Sequence, residues 1–411
     1  MTRTTPLVAL VAAGGIATLG STMTLIAIPW FVLQTTGSGV STGLVAAAET
    51  LGLVLSVVLT GTLVDRYGAR RASLVADLFT CGAVVLIPLA HNTVGVSLPL
   101  LVVLALGIGA GRAPSRSAKQ VLLPAVLAVT RTRVSRGTSA EEASQRAGDL
   151  IGALLGGLLI ALFSPATVLL ADGAALLLAA VFVGVFVRVR PVSGGHSAAG
   201  YLQELREALG YLRRDRLLVV LGASNASSNA LTTGLLSVLL PAFGVLVWHN
   251  STLVGVLIGA ASGGSMLGTA LYALRGTGRH RWRTFAVCGL ISGPPVYLVV
   301  ALGPPPVLLV GLVSLSMVAN GALNPVIAAV KYDRVPEPLR GRVFSALHAV
   351  GSAAMPLGSM IAGVLLDGIG PHGAAYALCG LCVIAVGCPF VFKVWRQMDA
   401  ASRQLGSTTT S

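Results

Sequence analysis

Charged residues are scarce in this chain. Asp, Glu, Lys and Arg make up only 10% of its 411 residues, whereas a soluble globular domain carries about 25%. So little charge excludes a soluble multidomain protein, a coiled coil and an intrinsically disordered chain. Hydrophobic residues make up 55% of the sequence, and the mean hydropathy is +0.86. The composition therefore predicts an all-α membrane protein that crosses the bilayer many times.

The residue patterns of enzyme, metal and nucleotide sites are also missing. The five cysteines all lie in apolar runs, which predicts no disulfide framework. The sequence holds no G-x-x-x-x-G-K-[ST] phosphate loop. Its apolar runs hold neither clustered His and carboxylates nor a nucleophile motif. We therefore expect no enzymatic activity, no metal, no cofactor and no use of ATP.

Twelve apolar runs are long enough to cross a bilayer, because a spanning helix needs about 20 residues. We number them spans 1 to 12, at residues 7–33, 42–64, 72–91, 96–122, 143–163, 167–188, 217–243, 252–274, 283–302, 306–330, 343–367 and 373–395. The longest interruption, residues 188–216, separates six spans from six. It predicts a six-helix bundle at 1–190, a linker at 191–216 and a second bundle at 217–411. Leucines at helical spacing predict an amphipathic linker helix on the membrane surface, and a soluble linker helix is the alternative.

Between the spans, basic residues occur only in alternate connections. Lys and Arg occur in the connections at 65–71, 131–136, 188–216, 275–283 and 331–342, and the intervening connections hold none. Positively charged loops stay in the cytoplasm during membrane insertion, so the pattern predicts that these loops and both termini are cytoplasmic. The formal net charge of +14 then reflects membrane topology, and no nucleic-acid partner is expected.

The connection between spans 2 and 3 carries a compact motif. Its residues are Gly61, Asp65, Arg66, Gly68, Arg70 and Arg71. A tight turn at Gly68 would place a carboxylate at a helix end and guanidinium groups at the inner headgroup level. The motif resembles the loop signature of the major facilitator superfamily, except that Ala69 stands where the signature has its first Arg.

The resemblance implies twelve transmembrane helices in two six-helix bundles, with cytoplasmic N and C termini. It also implies that Asp65 caps the start of span 11, near Arg342–Phe344, and acts as a conformational latch, since a helix N-terminus favours an anion. The alternative is a loop that only orients the protein through its positive charge.

Span 5 carries a second motif, made of Gly148, Gly152, Gly156 and Gly157. It resembles an element found in exporters of the same superfamily, although Ala153 replaces the proline of that element. Glycines at this spacing also let helices pack closely, so packing alone is the alternative. Short matches along the chain, including Ile28-Pro29-Trp30, resemble the macrolide-efflux and enterobactin-exporter-like branch.

Polar residues inside spans are costly in lipid and are candidates for function. Many lie at comparable depths on spans 1, 4, 7 and 10, which line the central cavity in the superfamily. The substrate-cavity candidates are Ser21, Thr22, Thr24, Arg112, Ser115, Arg116, Asn225, Ser228, Asn229, Thr232, Asn320 and Asn324. Hydrogen bonding between helices is the alternative for these residues.

Three acids inside spans are candidates for proton coupling: Glu49, Asp149 and Asp172. Arg112 and Asp149 lie at similar depths, which predicts an ion pair between them. Glu49 and Asp172 have no basic residue at their depth, and a carboxylate without a cation in a low-dielectric wall favours its protonated form. Two further acids, Asp77 and Asp367, lie close enough to span ends for solvation.

These features predict a secondary active transporter of the bacterial cytoplasmic membrane. We expect efflux of a hydrophobic or amphipathic small molecule, such as a drug, antibiotic or secreted natural product, in exchange for protons by alternating access. The expected partners are this substrate, protons and the lipid bilayer, with no obligate protein partner. The alternatives are a proton-coupled uptake symporter for a small metabolite and a non-enzymatic translocator of lipid or another compound.

Overall fold

The computed structural model describes residues 4–93, 95–187, 198–275 and 280–399, apart from the side chains of 57–62, 65, 198–205, 275 and 338. The described residues are almost entirely helical and include no β-strand. Eleven helical stretches are long and apolar enough to cross a membrane. The expected all-α membrane fold is therefore confirmed.

The helices extend the predicted spans at most of their ends. Spans 1 to 6 are the helices Thr5–Thr36, Gly39–Tyr67, Ala69–Thr93, Leu98–Thr130, Val134–Leu162 and Pro165–Phe186. The linker helix is Ala198–Arg214. Span 7 comprises Arg216–Gly234, a π-helical turn at Leu235–Leu239 and Leu240–Leu246, and span 8 is Ser251–Arg275. Span 9 comprises Arg281–Ser292 and Pro294–Leu302, and span 10 comprises Pro306–Asn320 and Leu323–Arg334. Spans 11 and 12 occupy Arg340–Ala353 and Met355–Val391.

The break between spans 11 and 12 lies at Gly370, whose φ of 72° and ψ of 174° are not helical. Before the break, Asp367 bonds to the start of span 2. After it, the chain returns to Trp395, which stacks on Phe285 of span 9 at a centroid distance of 5.2 Å. One long helical stretch therefore crosses the membrane twice, which gives twelve spans.

Successive spans run in opposite directions, so their ends form two faces. We call the end that carries the basic connections the basic face and the other end the opposite face. On the basic face, Arg334 of span 10 pairs with Asp215 before span 7 at 2.8 Å. On the opposite face, the rings of Phe31 and His91 lie 5.1 Å apart. These contacts join span ends that the alternation places on the same face.

Contacts within spans 1–6 and within spans 7–12 account for most of the packing; two helix pairs make the most extensive contacts between these halves, and span 7 makes smaller contacts with spans 1 and 2. Span 2 packs along span 11, and span 5 packs along span 8. Both crossings involve glycines: a Cβ at Gly43 would lie 2.6 Å from the carbonyl oxygen of Ser359, and one at Gly157 would lie 2.6 Å from that of Ser251. The backbones therefore approach closely enough to close the opposite face.

Candidate functional site

A cavity of about 440 Å³ lies largely among the last six spans, with one side against span 5 of the first six. Spans 7 to 10 and 12 form most of its wall, and Arg146, Asp149 and Leu150 of span 5 close one side. Its deeper wall is apolar and includes Val296, Tyr297 and Met317. Because the crossings of spans 2 and 5 with spans 11 and 8 close the opposite face, the cavity extends towards the basic face.

Six of the twelve predicted cavity residues line this space. They are Asn225, Ser228, Asn229, Thr232, Asn320 and Asn324. All six come from spans 7 and 10. Their amide and hydroxyl groups supply hydrogen-bond donors and acceptors beside an apolar wall, which is the composition of a small-molecule site.

The other six predicted cavity residues lie outside the lining, because other contacts occupy them. Ser21 donates to the carbonyl oxygen of Thr18, and the hydroxyl of Thr22 lies within hydrogen-bond distance of both that oxygen and Asp149. Arg116 binds Gln145. Thr24, Arg112 and Ser115 belong to buried polar clusters within the first six spans. Hydropathy and depth do not distinguish these orientations, since they carry no information on which way a residue faces around its helix.

The cavity contains one feature that sequence analysis missed, the π-helical turn at Leu235–Leu239. The N–H of Leu240 bonds to the carbonyl oxygen of Leu235, five residues earlier. Pro241 follows directly, and a proline in a helix has no N–H and crowds the preceding turn. The wide turn accommodates this proline and shifts the helix of span 7 beside the polar residues of the cavity. In the sequence, Pro241 was the residue that could have indicated this irregular turn.

A buried charge cluster, which we call the triad, joins Glu49, Arg112 and Asp172. The Arg112 guanidinium contacts Glu49 at 2.5 Å and Asp172 at 3.0 Å. The side chains of Arg112 and Glu49 are 16% and 17% exposed, and that of Asp172 is fully buried. Thr24 donates a further hydrogen bond to Asp172 at 2.5 Å.

The triad corrects two expectations. The predicted ion pair between Arg112 and Asp149 is wrong, and so is the expectation that Glu49 and Asp172 lack a nearby cation. Both errors came from comparing depths alone. The long side chain of Arg112 bridges the difference in depth, and Arg112 lies on the side of span 4 that faces spans 2 and 6.

The charges of the triad do not balance. Two ionised carboxylates and one guanidinium leave a net charge of −1 in a low-dielectric site, which is costly unless a proton neutralises it. Asp172 Oδ1 and Arg112 Nε are buried without a hydrogen-bond partner among the described residues. The cluster therefore has both the charge and a free acceptor atom for one proton.

Asp149 is the one proton-coupling candidate that lines the cavity. It accepts a hydrogen bond from Thr22 of span 1 at 3.0 Å. Arg146, one helical turn earlier, lines the same edge. Asp149 is therefore placed to meet both a bound compound and a proton that enters from the basic face.

A second buried pair lies between spans 3 and 4. Lys119 binds Asp77 at 2.9 Å, and Ser115 also donates to Asp77. Asp77 is fully buried, so the expectation of a solvated position is wrong. It lies two turns inside span 3, and the side chain of Lys119 supplies the counter-charge that solvent would otherwise provide. The charges in this pair balance.

The motif between spans 2 and 3 has the predicted turn. Gly68 has a φ of 78° and ends span 2 with a bond from its N–H to the carbonyl oxygen of Val64. Arg70 donates to the carbonyl oxygens of Val183 and Gly184 on span 6. Gly61 and Asp65 lie on the helix, but the surroundings of Gly61 and the side-chain position of Asp65 are outside the described residues. The latch of Asp65 stays a prediction.

The glycines of the span 5 motif contact two different helices. A Cβ at Gly148 would meet the backbone of Gly15, and Gly152 and Gly156 likewise face span 1. Gly157 instead faces Gly255 of span 8, across the boundary between the halves. Close packing therefore accounts for three of these glycines, and the fourth belongs to the crossing that closes the opposite face.

Comparison with known proteins gives a consistent result. The sequence profile of the Major Facilitator Superfamily matches residues 10–291 and 277–408. The multidrug efflux pump Tap of Mycolicibacterium fortuitum is 28% identical over 411 residues, covering 98% of this chain and 99% of that protein. Tap of Mycobacterium tuberculosis strain H37Rv is 29% identical over 392 residues, covering 94% and 93%. A crystal structure of the nucleoside transporter NupG matches the fold with a TM-score of 0.76 at 12% identity, covering 96% of this chain and 100% of that one.

Proposed function

Because the chain belongs to the major facilitator superfamily, we propose that this multi-pass membrane transporter exports hydrophobic or amphipathic small molecules in exchange for protons. The cavity carries the proposal, since both halves contribute to its wall and it extends towards the basic face. Relatives similar over nearly the whole chain are multidrug efflux pumps, which supports export over the uptake of a metabolite. A transport role requires neither enzymatic chemistry nor an obligate protein partner.

The lining of the cavity supports a substrate with both polar and apolar parts. Amides from spans 7 and 10 lie beside the apolar wall of span 9. The charged groups of the lining are Arg146 and Asp149, both at one edge. A bulky compound would place its apolar part against Tyr297 and its polar groups on the amides. Drugs, antibiotics and secreted natural products share this character.

Sidedness follows from the distribution of charge. The basic face would be cytoplasmic, because positively charged loops remain there during insertion. Both termini then lie in the cytoplasm, and the cavity opens to it. Transport would rock residues 1–190 against 217–411, with 191–216 as the linker. Asp65 would latch the cytoplasmic end when the cavity opens to the outside.

Proton coupling is assigned to the first six spans. The triad carries one negative charge in excess, so Glu49 and Asp172 would share a proton. Its loss or gain would change the charge that Arg112 has to balance and thereby the packing of spans 2, 4 and 6. Asp149 at the cavity edge would pass the proton or contact the bound compound.

The test is proton-driven uptake of hydrophobic fluorescent dyes and macrolide-like antibiotics into everted membrane vesicles. We expect uptake by the wild type under an imposed proton gradient and a loss of at least about tenfold with Glu49→Gln. Asp65→Asn should also lose transport while inserting normally into the membrane. Glu337→Gln, which removes an exposed carboxylate on the basic face, is the matched control.

Three results would contradict the proposal. Full proton-driven transport by Glu49→Gln would remove this residue from coupling. Absence of dye movement in vesicles, together with substrate accumulation in energised intact cells, would establish the uptake symporter instead. Movement without any gradient would indicate a translocator that is not coupled to protons.

A further inference from the structure

Asp367 forms a contact between the halves on the opposite face. It lies at the end of span 11 and accepts hydrogen bonds from the start of span 2: from the hydroxyl of Ser38 at 2.8 Å, the N–H of Gly39 at 2.5 Å and the N–H of Val40 at 2.9 Å. One carboxylate from the last six spans thus caps a helix of the first six.

The chemistry of this contact is that of a helix cap. The first N–H groups of a helix have no partner within it, and the helix N-terminus attracts negative charge. Ser38 caps its own helix through a bond from the N–H of Ser41. The N–H groups of Gly39 and Val40 remain, and Asp367 accepts both. The start of span 2 is therefore fully capped only while span 11 lies against it.

Below this contact, spans 2 and 11 pack closely against each other. A Cβ at Gly39 would lie 2.7 Å from the side chain of Leu366, and a Cβ at Gly43 would lie 3.2 Å from the Cα of Gly363. These small residues leave no passage between spans 2 and 11. Asp367 itself is exposed at the rim, where water can replace the protein donors when the helices separate.

We propose that Asp367 is a gating residue, whose carboxylate holds the opposite face closed and has to release the start of span 2 before that face opens. The proposal rests on the alternating-access transport proposed above. It adds a contact at the other end of the helix pair that the motif of span 2 would latch. Spans 2 and 11 are antiparallel, so an acid at the end of each helix would face the start of its neighbour, and only one contact would be closed at a time.

The test measures the gate directly. Spin labels on Thr93→Cys and Val307→Cys, placed in a variant without the native cysteines, report the distance between the halves on the opposite face. Thr93 is exposed, and Val307 is 88% exposed at the start of span 10. Double electron–electron resonance on purified protein in lipid nanodiscs then gives the populations of the closed and open forms.

We expect Asp367→Ala to raise the ratio of open to closed form about tenfold, because it removes three bonds to a charged acceptor. Asp367→Asn should have a smaller effect, since its amide oxygen still accepts but carries no charge. Glu337→Gln is the control for loss of one exposed carboxylate. Melting temperatures of all variants show whether a change reflects the gate or a misfolded protein.

The outcomes separate this proposal from the transport proposal. Unchanged distances in folded Asp367→Ala and Asp367→Asn would overturn the gate, even if the wild type transports dye. Shifted distances in a protein that moves no tested compound would support the gate and leave export without support. A larger shift with Asn than with Ala would also contradict the capping mechanism.

Discussion

At the scale of single residues, Arg112 balances only one of the two carboxylates that contact it. Removing one partner from a buried ion pair leaves an uncompensated charge and is strongly destabilising. Removing all the charges together avoids this cost. The triad therefore allows its contribution to stability to be separated from its contribution to transport.

We predict that Arg112→Met lowers the free energy of unfolding by about 3 kcal/mol and abolishes transport. The combination Arg112→Met, Glu49→Gln and Asp172→Asn should regain most of the stability but none of the proton-driven transport. Thermal unfolding in detergent and dye uptake by vesicles provide the two measurements. A triple variant no more stable than Arg112→Met would refute the charge argument.

The pair of Asp77 and Lys119 shows why the triad, and not every buried charge, is assigned to coupling. Both clusters lie within the first six spans, and both hold a fully buried Asp. Lys119 balances Asp77 one to one, and Ser115 supplies a further donor. A neutral and well-bonded pair has no excess charge for a proton to neutralise. Its contribution is to hold span 3 against span 4.

At the scale of helices, Asp215 connects the start of span 7 to the end of span 10. It accepts from the N–H of Leu217 at 2.9 Å and pairs with Arg334 at 2.8 Å. Burial raises the pKa of Asp215, but the hydrogen bond and charge of Arg334 and the N–H groups of Leu217 and Leu218 together hold this pKa below its usual value. The ionised form is therefore favoured in the folded protein.

Because folding lowers the pKa of Asp215, the direction in which protein stability changes with pH can be predicted. The stability that Asp215 contributes is fully present above its unfolded pKa, near 3.8, and is lost as the pH falls through its lower folded value. We predict that Asp215→Ala costs about 1 kcal/mol at neutral pH, as loss of a helix cap does. The difference from wild type should shrink below about pH 4. Unfolding curves across this pH range provide the measurement, and a constant difference would contradict the assignment.

The sequence predicted the number and order of the spans because backbone groups in lipid must be satisfied within a helix, which makes each crossing a long apolar run. It did not predict how each span faces its neighbours. Arg112 and Asp149 matched in depth yet face different helices, and Thr24 and Ser115 proved to bind carboxylates rather than line the cavity. The break at Gly370 lies in the predicted connection between spans 11 and 12, whereas Pro241 alone does not distinguish the π-helical turn from a regular helix.

At the scale of the whole molecule, the described structure separates the triad from most of the cavity lining. The triad and the pair of Asp77 and Lys119 lie in the first six spans, and the amides of the cavity come from the last six. Span 5 brings Asp149 and Arg146 to the cavity edge. A proton held in one half would thus affect a compound bound in the other through the relative position of the halves.

This separation predicts that substrate affinity and proton coupling respond to different substitutions. Ser228 lines the cavity, and its neighbour Ser227 does not, since its hydroxyl bonds to the carbonyl oxygen of Ala223. Ser228→Leu should raise the KM for dye about tenfold, because it fills the cavity and removes a hydrogen-bonding group. Ser227→Leu, the same change one position earlier, should leave the KM within about twofold of wild type.

Initial rates of uptake into everted vesicles at several proton gradients give the KM and its dependence on the gradient. The dependence on the gradient should be unchanged in both variants, because the triad is intact. An equal rise in KM for the two variants would show that span 7 responds to bulk alone, and a changed gradient dependence in Ser228→Leu would place coupling within the cavity itself.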